Sequence, residues 1–173
     1  MTRIAFTGKA GVGKTTAAEY FMWKYGFIKY SFAGAVKGIA GTLWPEAFKG
    51  GAKPRKLLQA FGMCVCTVDK DVWVNYVLRQ IHSLPSKVDI VIDDCRFLNE
   101  ADLLHRQGFI VVRILGPQRV EIVGDEANHV SETEQAAIIP DFELENYKEG
   151  VASLHDAIDS AHWVSNGEAF RRK

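Results

Sequence analysis

The sequence feature that most constrains this chain is a glycine-rich stretch at Gly8–Thr15, which reads Gly-Lys-Ala-Gly-Val-Gly-Lys-Thr. It matches the P-loop pattern G-x-x-x-x-G-K-[ST] in full. The apolar run Ile4–Thr7 before it predicts a buried strand, and the residues Lys14–Tyr25 after it predict a helix. A glycine-rich loop between a strand and a helix is typical of α/β proteins with a mainly parallel sheet.

The rest of the chain supports this fold class, because short apolar runs alternate with helical patterns. Asp89–Asp93 is the clearest inner strand, since β-branched apolar residues run through it without interruption. Phe27–Phe32 is predicted to be a second strand or an extended segment, and further strands are predicted at Phe109–Leu115 and Phe142–Glu145. Further helices are predicted at Ala33–Leu43, Arg55–Cys66, Asp71–His82, Asn99–Gln107 and Val151–Ala161. We therefore predict a three-layer α/β sandwich of the P-loop NTPase kind, built on a mainly parallel five-stranded sheet.

The length of 173 residues predicts a single domain. Between the second and third strands lies a helical insert, at about residues 33–85, in which we read Trp44–Pro54 as a loop. A polar stretch at about residues 117–140 has weak periodicity and is predicted to be a lid-like segment with a short helix, or else a plain surface excursion. No repeat or linker marks a second domain.

The chemistry of the P-loop follows from its residue types. Glycines at Gly8, Gly11 and Gly13 let successive backbone N–H groups point at a phosphate, assisted by the positive end of the following helix. Lys14 supplies a charge for the β- and γ-phosphates, and the hydroxyl of Thr15 is the expected protein ligand of Mg²⁺. The predicted nucleotide-binding residues are Gly8, Lys9, Ala10, Gly11, Val12, Gly13, Lys14, Thr15 and Thr16. ATP and Mg²⁺ are thus the expected cofactors.

The charge distribution favours a small phosphorylated ligand. The net charge is zero, which argues against a generally basic nucleic-acid binder. Residues 1–119 hold 17 Lys and Arg against 9 Asp and Glu, a balance of +8, whereas residues 120–162 hold 11 acids and one lysine. The three cysteines do not suggest a disulfide framework, and no apolar stretch reaches membrane-spanning length. We expect a cytoplasmic protein that binds small nucleotides, with no nucleic-acid or membrane partner.

Two acids and an arginine follow the inner strand. Catalytic groups in open parallel sheets collect at the carboxyl ends of the strands, so Asp93 or Asp94 is expected to face the metal-bound nucleotide. Arg96 can grip an acceptor phosphate through two parallel N–H bonds. The alternative is that one acid caps the helix beginning near Asn99 and pairs with Arg96.

Six segments beyond the P-loop have a particular order and spacing. They are Phe32-Ala33 with Lys37, Leu57-Leu58-Gln59 with Gly62, Asp71-x-Trp73-Val74, Asp94-Cys95-Arg96-Phe97-x-Asn99-Glu100-Ala101, His129-x-Ser131-Glu132, and Asn146 with Gly150. Together with the P-loop, these segments resemble the deoxynucleoside monophosphate kinases of bacteriophages over most of the chain. The resemblance implies Mg²⁺-dependent transfer of the ATP γ-phosphate to a deoxynucleoside monophosphate, giving ADP and a deoxynucleoside diphosphate. It would place the protein in deoxynucleotide metabolism, in the host cytoplasm if a phage encodes it.

The resemblance also implies roles for single residues. Lys14 and Thr15 would lie at the nucleotide phosphates, Asp94 at the metal or the reacting centre, and Arg96 at the acceptor phosphate. The insert would form the acceptor-binding lobe. The predicted acceptor-binding residues are Lys37, Arg55, Gln59, Trp73, Arg96 and Glu100. For Trp73 the alternative is a place in the core, which is the commoner position for an aromatic residue at helical spacing.

One position departs from the family pattern. An arginine expected one helical turn after the glycine falls on Thr67, so a phosphate clamp is missing. Arg55, Lys56 and Lys37 are the candidates to replace it, and a different acceptor specificity is the alternative.

The lid-like segment is expected to donate an arginine to the reacting phosphates. Arg119 is the first candidate, and we count it among the catalytic residues with Lys14, Asp94 and Arg96. Arg113 is the second candidate. A solvated surface position is the alternative for both Arg113 and Arg119.

The sequence is also consistent with two other functions. One is a different small-molecule P-loop kinase, similar to phosphomevalonate or dephospho-coenzyme-A kinases. The other is a non-catalytic NTP-binding module. The sequence also leaves open the preferred base, a homodimeric state and the extent of lid closure.

Overall fold

A five-stranded parallel sheet forms the centre of the fold. The structure is a computed structural model that describes residues 1–49, 51, 54–85, 87–119, 130–148, 150–161, 164–165 and 168–169. The strands are β1 (Arg3–Thr7), β2 (Ile28–Tyr30), β3 (Ile90–Ile92), β4 (Ile110–Leu115) and β5 (Phe142–Glu145). They lie in the order β2-β3-β1-β4-β5 and all pair in parallel. The carboxyl ends of all five strands therefore meet at one edge of the sheet.

Seven α-helices are described between and after these strands. They are α1 (Lys14–Tyr25), α2 (Phe32–Leu43), α3 (Arg55–Val68), α4 (Val72–His82), α5 (Leu98–Arg106), α6 (Val130–Ala137) and α7 (Val151–Ser160), with a 3₁₀ helix at Pro45–Phe48. Two short antiparallel strands, β6 (Val164–Ser165) and β7 (Glu168–Ala169), form a separate ribbon. No helix among the described residues is long and apolar enough to cross a membrane.

The chain divides into two compact units. The first contains residues 1–30 and 85–173, which include the sheet with α1, α5, α6 and α7. The second unit is the insert, Ser31–Leu84, and contains α2, α3, α4 and the 3₁₀ helix.

Strand alternation divides the sheet of the first unit into two faces. One face packs against α1 and α7 in a cluster that includes Ile4, Phe6 and Val91 with Leu154 of α7, all at most 1% exposed. The neighbouring strand residues are buried on the opposite face, as period-2 alternation requires. They are Ala5, Ile90, Ile92 and Val111.

The predicted fold class is confirmed, and the sheet is parallel throughout. The main difference at the element boundaries is the second strand, which was predicted to reach Phe32 but ends at Tyr30. The cause is local, because the Ser31 side chain accepts a hydrogen bond from the backbone of Gly34 (3.0 Å) and begins α2. The loop predicted at Trp44–Pro54 contains the 3₁₀ helix. In the lid-like segment α6 is described, whereas residues 120–129 lie outside the described part of the chain.

Candidate active site

The P-loop joins β1 to α1, and its glycines are required by close contacts. Gly8 has φ +128°, and a Cβ atom there would lie 2.6 Å from the carbonyl oxygen of Ile114 in β4. Gly13 has φ +106°, and a Cβ atom there would lie 2.8 Å from Nδ2 of Asn146. Both positions combine a left-handed backbone with no space for a side chain. The tight wrap predicted from the sequence is therefore packed against β4 and the residue that follows β5.

Lys14 is held inside this loop. Its ammonium donates hydrogen bonds to the carbonyl oxygens of Gly8 (2.6 Å) and Lys9 (2.7 Å), and the residue is only 7% exposed. Gly13 precedes α1, and no described side chain caps the N-terminus of this helix. Its first N–H groups thus point into the loop together with the lysine charge, an arrangement suited to an anion.

Asp93 lies against the first turn of α1. Its Oδ2 atom accepts a hydrogen bond from the Thr15 hydroxyl (2.9 Å) and forms an ion pair with Nζ of Lys29 (2.8 Å). Its Oδ1 atom is buried and has no hydrogen-bond partner among the described residues. A buried carboxylate oxygen without a partner is costly, so this atom is suited to a ligand that brings a charge or a donor.

The sequence left open which of the two acids faces the nucleotide loop, and strand alternation decides the contact with Thr15. Val91 of β3 packs in the cluster beneath α1, and Asp93 follows it by two residues on the same face. The extended pairing continues past β3, because the backbone N–H of Cys95 donates to the carbonyl of Phe6 (3.1 Å). Asp94, which we predicted at the metal, belongs by alternation to the other face and is partly buried.

Lys29 was missed by the sequence reasoning. It lies in β2, directly opposite Val91 of β3, so its side chain reaches the acid two residues further on. The signal available in the sequence was alternation within the predicted strand, but its partner depends on β2 lying beside β3. Strand order cannot be read from the spacing of two residues that are 64 positions apart.

The turn carrying Arg96 is held by Glu100. Oε2 of Glu100 accepts hydrogen bonds from the backbone N–H groups of Arg96 (2.8 Å) and Phe97 (3.1 Å), which fixes the start of α5. Burial raises the pKa of Glu100 from 4.5 to about 8, although both N–H donors favour the charged form. We predicted Glu100 to bind the acceptor, whereas its carboxylate is buried and bonded to this turn. Arg96 itself is partly buried.

Asn146, which directly follows β5, contacts the P-loop through its side chain. Its Nδ2 donates to the carbonyl of Val12 (2.8 Å), and the residue is buried. The guanidinium of Arg119 donates to the carbonyl oxygens of Asn146 (2.7 Å) and Lys148 (3.1 Å). Arg119 therefore ties the loop after β5 to the chain after β4, and a contact with reacting phosphates stays a prediction.

Arg113, the second arginine considered for the lid, lies in β4. Its Nη2 donates to the carbonyl oxygens of Gln135 (3.2 Å), Ala136 (3.3 Å) and Ile138. A cation at the C-terminal end of a helix is stabilised by the helix dipole, so Arg113 fastens the end of α6. His129 lies outside the described residues, as do the side chains of Ser131 and Glu132.

The predicted acceptor-binding residues of the second unit differ in their exposure to solvent. Arg55 and Gln59 lie four residues apart on one face of α3, and both are exposed, as is Lys37 on α2. Trp73 is 8% exposed, and its indole N–H donates to the carbonyl of Gly62 (3.1 Å).

Trp73 is thus a core residue of the second unit, which is the alternative that the sequence left open. Its ring packs edge-on against Phe61, with centroids 5.6 Å apart, and Phe61 packs against Trp44. Thr67, at the position of the expected arginine, is exposed and donates its hydroxyl hydrogen to the carbonyl of Cys64 (2.7 Å).

Solved structures show the same fold. Dephospho-CoA kinase from Campylobacter jejuni superposes with a TM-score of 0.56 at 15% identity, covering 91% of this chain and 94% of that one. Shikimate kinase from Aquifex aeolicus gives 0.52 at 17% identity, covering 92% and 95%. A gluconokinase from Sinorhizobium meliloti gives 0.53 at 13% identity, covering 91% and 90%. The parallel sheet with its P-loop and buried lysine thus has the fold of the P-loop kinases.

A relative at higher identity defines the family. A protein of Acanthamoeba polyphaga mimivirus, named "Putative deoxynucleotide monophosphate kinase", is 30% identical over 166 residues, which cover 80% of this chain and 84% of the relative. The chain belongs to the deoxynucleotide monophosphate kinase family, and it is a nucleoside monophosphate kinase-type phosphotransferase. The predicted resemblance is confirmed, with a relative from a giant virus rather than a bacteriophage. No family model matches the chain.

Proposed function

We propose that this protein transfers the γ-phosphate of ATP to the 5′-phosphate of a deoxynucleoside monophosphate, giving ADP and a deoxynucleoside diphosphate. An oxygen of the acceptor phosphate bonds to the γ-phosphorus, while the bond from that phosphorus to the bridging oxygen breaks and ADP leaves. The observation that carries the proposal is a complete P-loop with an internal, buried Lys14, in a chain 30% identical to a protein named for this activity.

The donor phosphates would bind in the P-loop. Lys14 is already held against the loop carbonyls, so an arriving phosphate exchanges those neutral acceptors for a charged one. The N-terminal N–H groups of α1 add a second, fixed source of positive potential. Asn146 supports the same loop from behind through the Val12 carbonyl, which keeps the N–H groups oriented before the nucleotide arrives.

The residues beside the loop fit Mg²⁺. Mg²⁺ prefers oxygen ligands, and the Thr15 hydroxyl and the Asp93 carboxylate provide them in direct contact, with one carboxylate oxygen still without a partner among the described residues. When bound, the ion would neutralise charge on the β- and γ-phosphates. Thr15 would be the protein ligand, and Asp93 would orient the hydroxyl and hold the water shell of the ion.

The acceptor phosphate is assigned to Arg96. Arginine matches two phosphate oxygens with two parallel N–H bonds, and the turn that carries Arg96 is held by the buried Glu100.

Asp94, two residues before Arg96, remains the proposed acid at the reacting centre. Lys37, Arg55 and Gln59 of the second unit are proposed to bind the acceptor as well, and Arg119 to contribute charge at the transferred phosphate. We leave Trp73 and Glu100 out of the acceptor-binding set, because both are buried and bonded within the fold.

A substrate panel tests the proposal. ATP consumption would be followed with each deoxynucleoside and ribonucleoside monophosphate, with dephospho-coenzyme A as a comparison, and the products would be separated to identify a nucleoside diphosphate. We expect turnover with at least one deoxynucleoside monophosphate and none with dephospho-coenzyme A. If ATP is consumed only when dephospho-coenzyme A is present, the protein has another kinase activity. If the protein binds nucleotide but turns over no acceptor, it is a non-catalytic NTP-binding module.

A further inference from the structure

Lys29 forms an ion pair with Asp93 at the nucleotide end of the sheet, and the proposed reaction assigns Lys29 no role. Nζ of Lys29 lies 2.8 Å from Oδ2 of Asp93, the same oxygen that accepts the Thr15 hydrogen bond. The side chains are 21% and 8% exposed, so the pair is largely shielded from water. A charge interaction in such surroundings is stronger than one at the surface.

The pair neutralises the acid on which a divalent cation would depend. An ion that approaches the hydroxyl of Thr15 meets a carboxylate whose charge is already balanced by an ammonium at contact distance. The P-loop lysine Lys14 donates its hydrogen bonds to the carbonyl oxygens of Gly8 and Lys9 rather than to this acid. Lys29 is therefore the described cation that competes most directly for Asp93.

We propose that the ammonium group of Lys29 occupies the metal site as a cation. A divalent ion that binds there must either displace Lys29 from Asp93 or bind against the repulsion of its charge. Lys29 thereby lowers the affinity of the nucleotide-free protein for divalent ions, so that the ion enters together with the polyphosphate that adds negative charge. The inference rests on the cation site of the proposed function. It makes Lys29 a residue that sets ion affinity, distinct from Arg96 and Lys14, which are assigned to phosphates.

Divalent-ion binding tests this without any turnover. Mn²⁺ would be titrated into the nucleotide-free protein and followed by electron paramagnetic resonance, for the wild type, Lys29→Gln and Lys29→Arg. We expect Lys29→Gln to bind Mn²⁺ about tenfold more tightly, since a unit charge close to the ion is removed while a hydrogen-bond donor is kept. Lys29→Arg keeps the charge and should bind Mn²⁺ as the wild type does.

Thermal unfolding supplies the second readout and the control. Lys29→Gln leaves Asp93 without its cation, so its melting temperature should be lower than that of the wild type without metal and should recover when Mn²⁺ is added. Lys24→Gln is the control, because Lys24 pairs with Asp159 between α1 and α7 and its side chain is 26% exposed, close to the 21% of Lys29. It should lower the melting temperature with no additional recovery in Mn²⁺.

The outcomes separate the inference from the proposed function. Mn²⁺ affinity in Lys29→Gln that equals or falls below that of the wild type overturns the inference, as does equal Mn²⁺ rescue of Lys24→Gln. If Lys29→Gln does not fold without metal, the double variant Lys29→Gln/Asp93→Asn removes both charges, and we expect it to fold and to show no Mn²⁺ rescue. A wild-type protein that binds no Mn²⁺ even with ADP would instead refute the metal site of the proposed function.

Discussion

Replacing Glu100 by glutamine should make the protein more stable at neutral pH. The carboxyl group is buried beneath the turn before α5, and burial raises its pKa from 4.5 to about 8. Glutamine keeps a carbonyl oxygen to accept the N–H groups of Arg96 and Phe97, and it cannot ionise. The variant therefore removes the cost of a buried charge without removing the cap.

The sign and size of the change in stability with pH follow from proton linkage. Between the unfolded pKa and the folded pKa, the folded protein keeps a proton that the unfolded chain has lost, so stability falls as pH rises through this window. Each pH unit costs about 1.4 kcal/mol, so the interval from about pH 5.5 to about pH 7.5 costs about 2.7 kcal/mol. For a chain of this size that corresponds to about 5–10 °C in melting temperature.

Thermal unfolding across that pH range measures the effect. The quantity to compare is the difference in melting temperature between Glu100→Gln and the wild type. This difference should grow by about 5–10 °C as the pH rises from about 5.5 to about 7.5. Glu19→Gln, an exposed carboxylate on α1, is the control and should give a constant difference. Parallel curves for Glu100→Gln and wild type would show that Glu100 is ionised at little cost and would refute the reasoning.

Two further predictions concern the proposed reaction. Lys14→Met should lower kcat by about 10²–10³-fold with an unchanged circular dichroism spectrum, because a preorganised charge at the donor phosphates is lost, and near-wild-type kcat would contradict the P-loop assignment. Arg96→Ala should raise the KM for the acceptor by about 10- to 100-fold with little change in the KM for ATP. Arg106→Ala, an exposed arginine at the other end of α5, is the control, and equal acceptor kinetics in both variants would remove Arg96 from the site.

Much of the fold could be predicted from local patterns. The bounds of α1 and β5 were predicted to the residue, and those of β1, β3, β4, α5 and α7 to within one residue, whereas the end of β2 was predicted two residues too late. Helical and strand periodicities depend on residues close in the chain, so they are visible without knowledge of tertiary contacts. The end of β2 was wrong because Ser31 acts as a helix cap instead of continuing the strand.

The roles of several candidate side chains could not be read in this way. Glu100 and Trp73 have residue types that suit ligand contacts, and only burial shows that they bond within the fold. Arg119 is predicted for the lid from its place in a polar stretch, while its observed partners are carbonyl oxygens after β5. In each case the partner was chosen by packing, which a linear pattern does not encode.

By itself, the sequence of this protein predicted the P-loop, the parallel α/β class and the resemblance to the family, because these depend on local residue patterns and on the order and spacing of short segments along the chain. The tertiary structure decided which acid meets Thr15, which lysine pairs with that acid, and why Gly13 must be glycine opposite Asn146. Those contacts join residues far apart in the chain. They exist only because the strand order places β2 and β1 on either side of β3, and because alternation directs Asp93 towards α1.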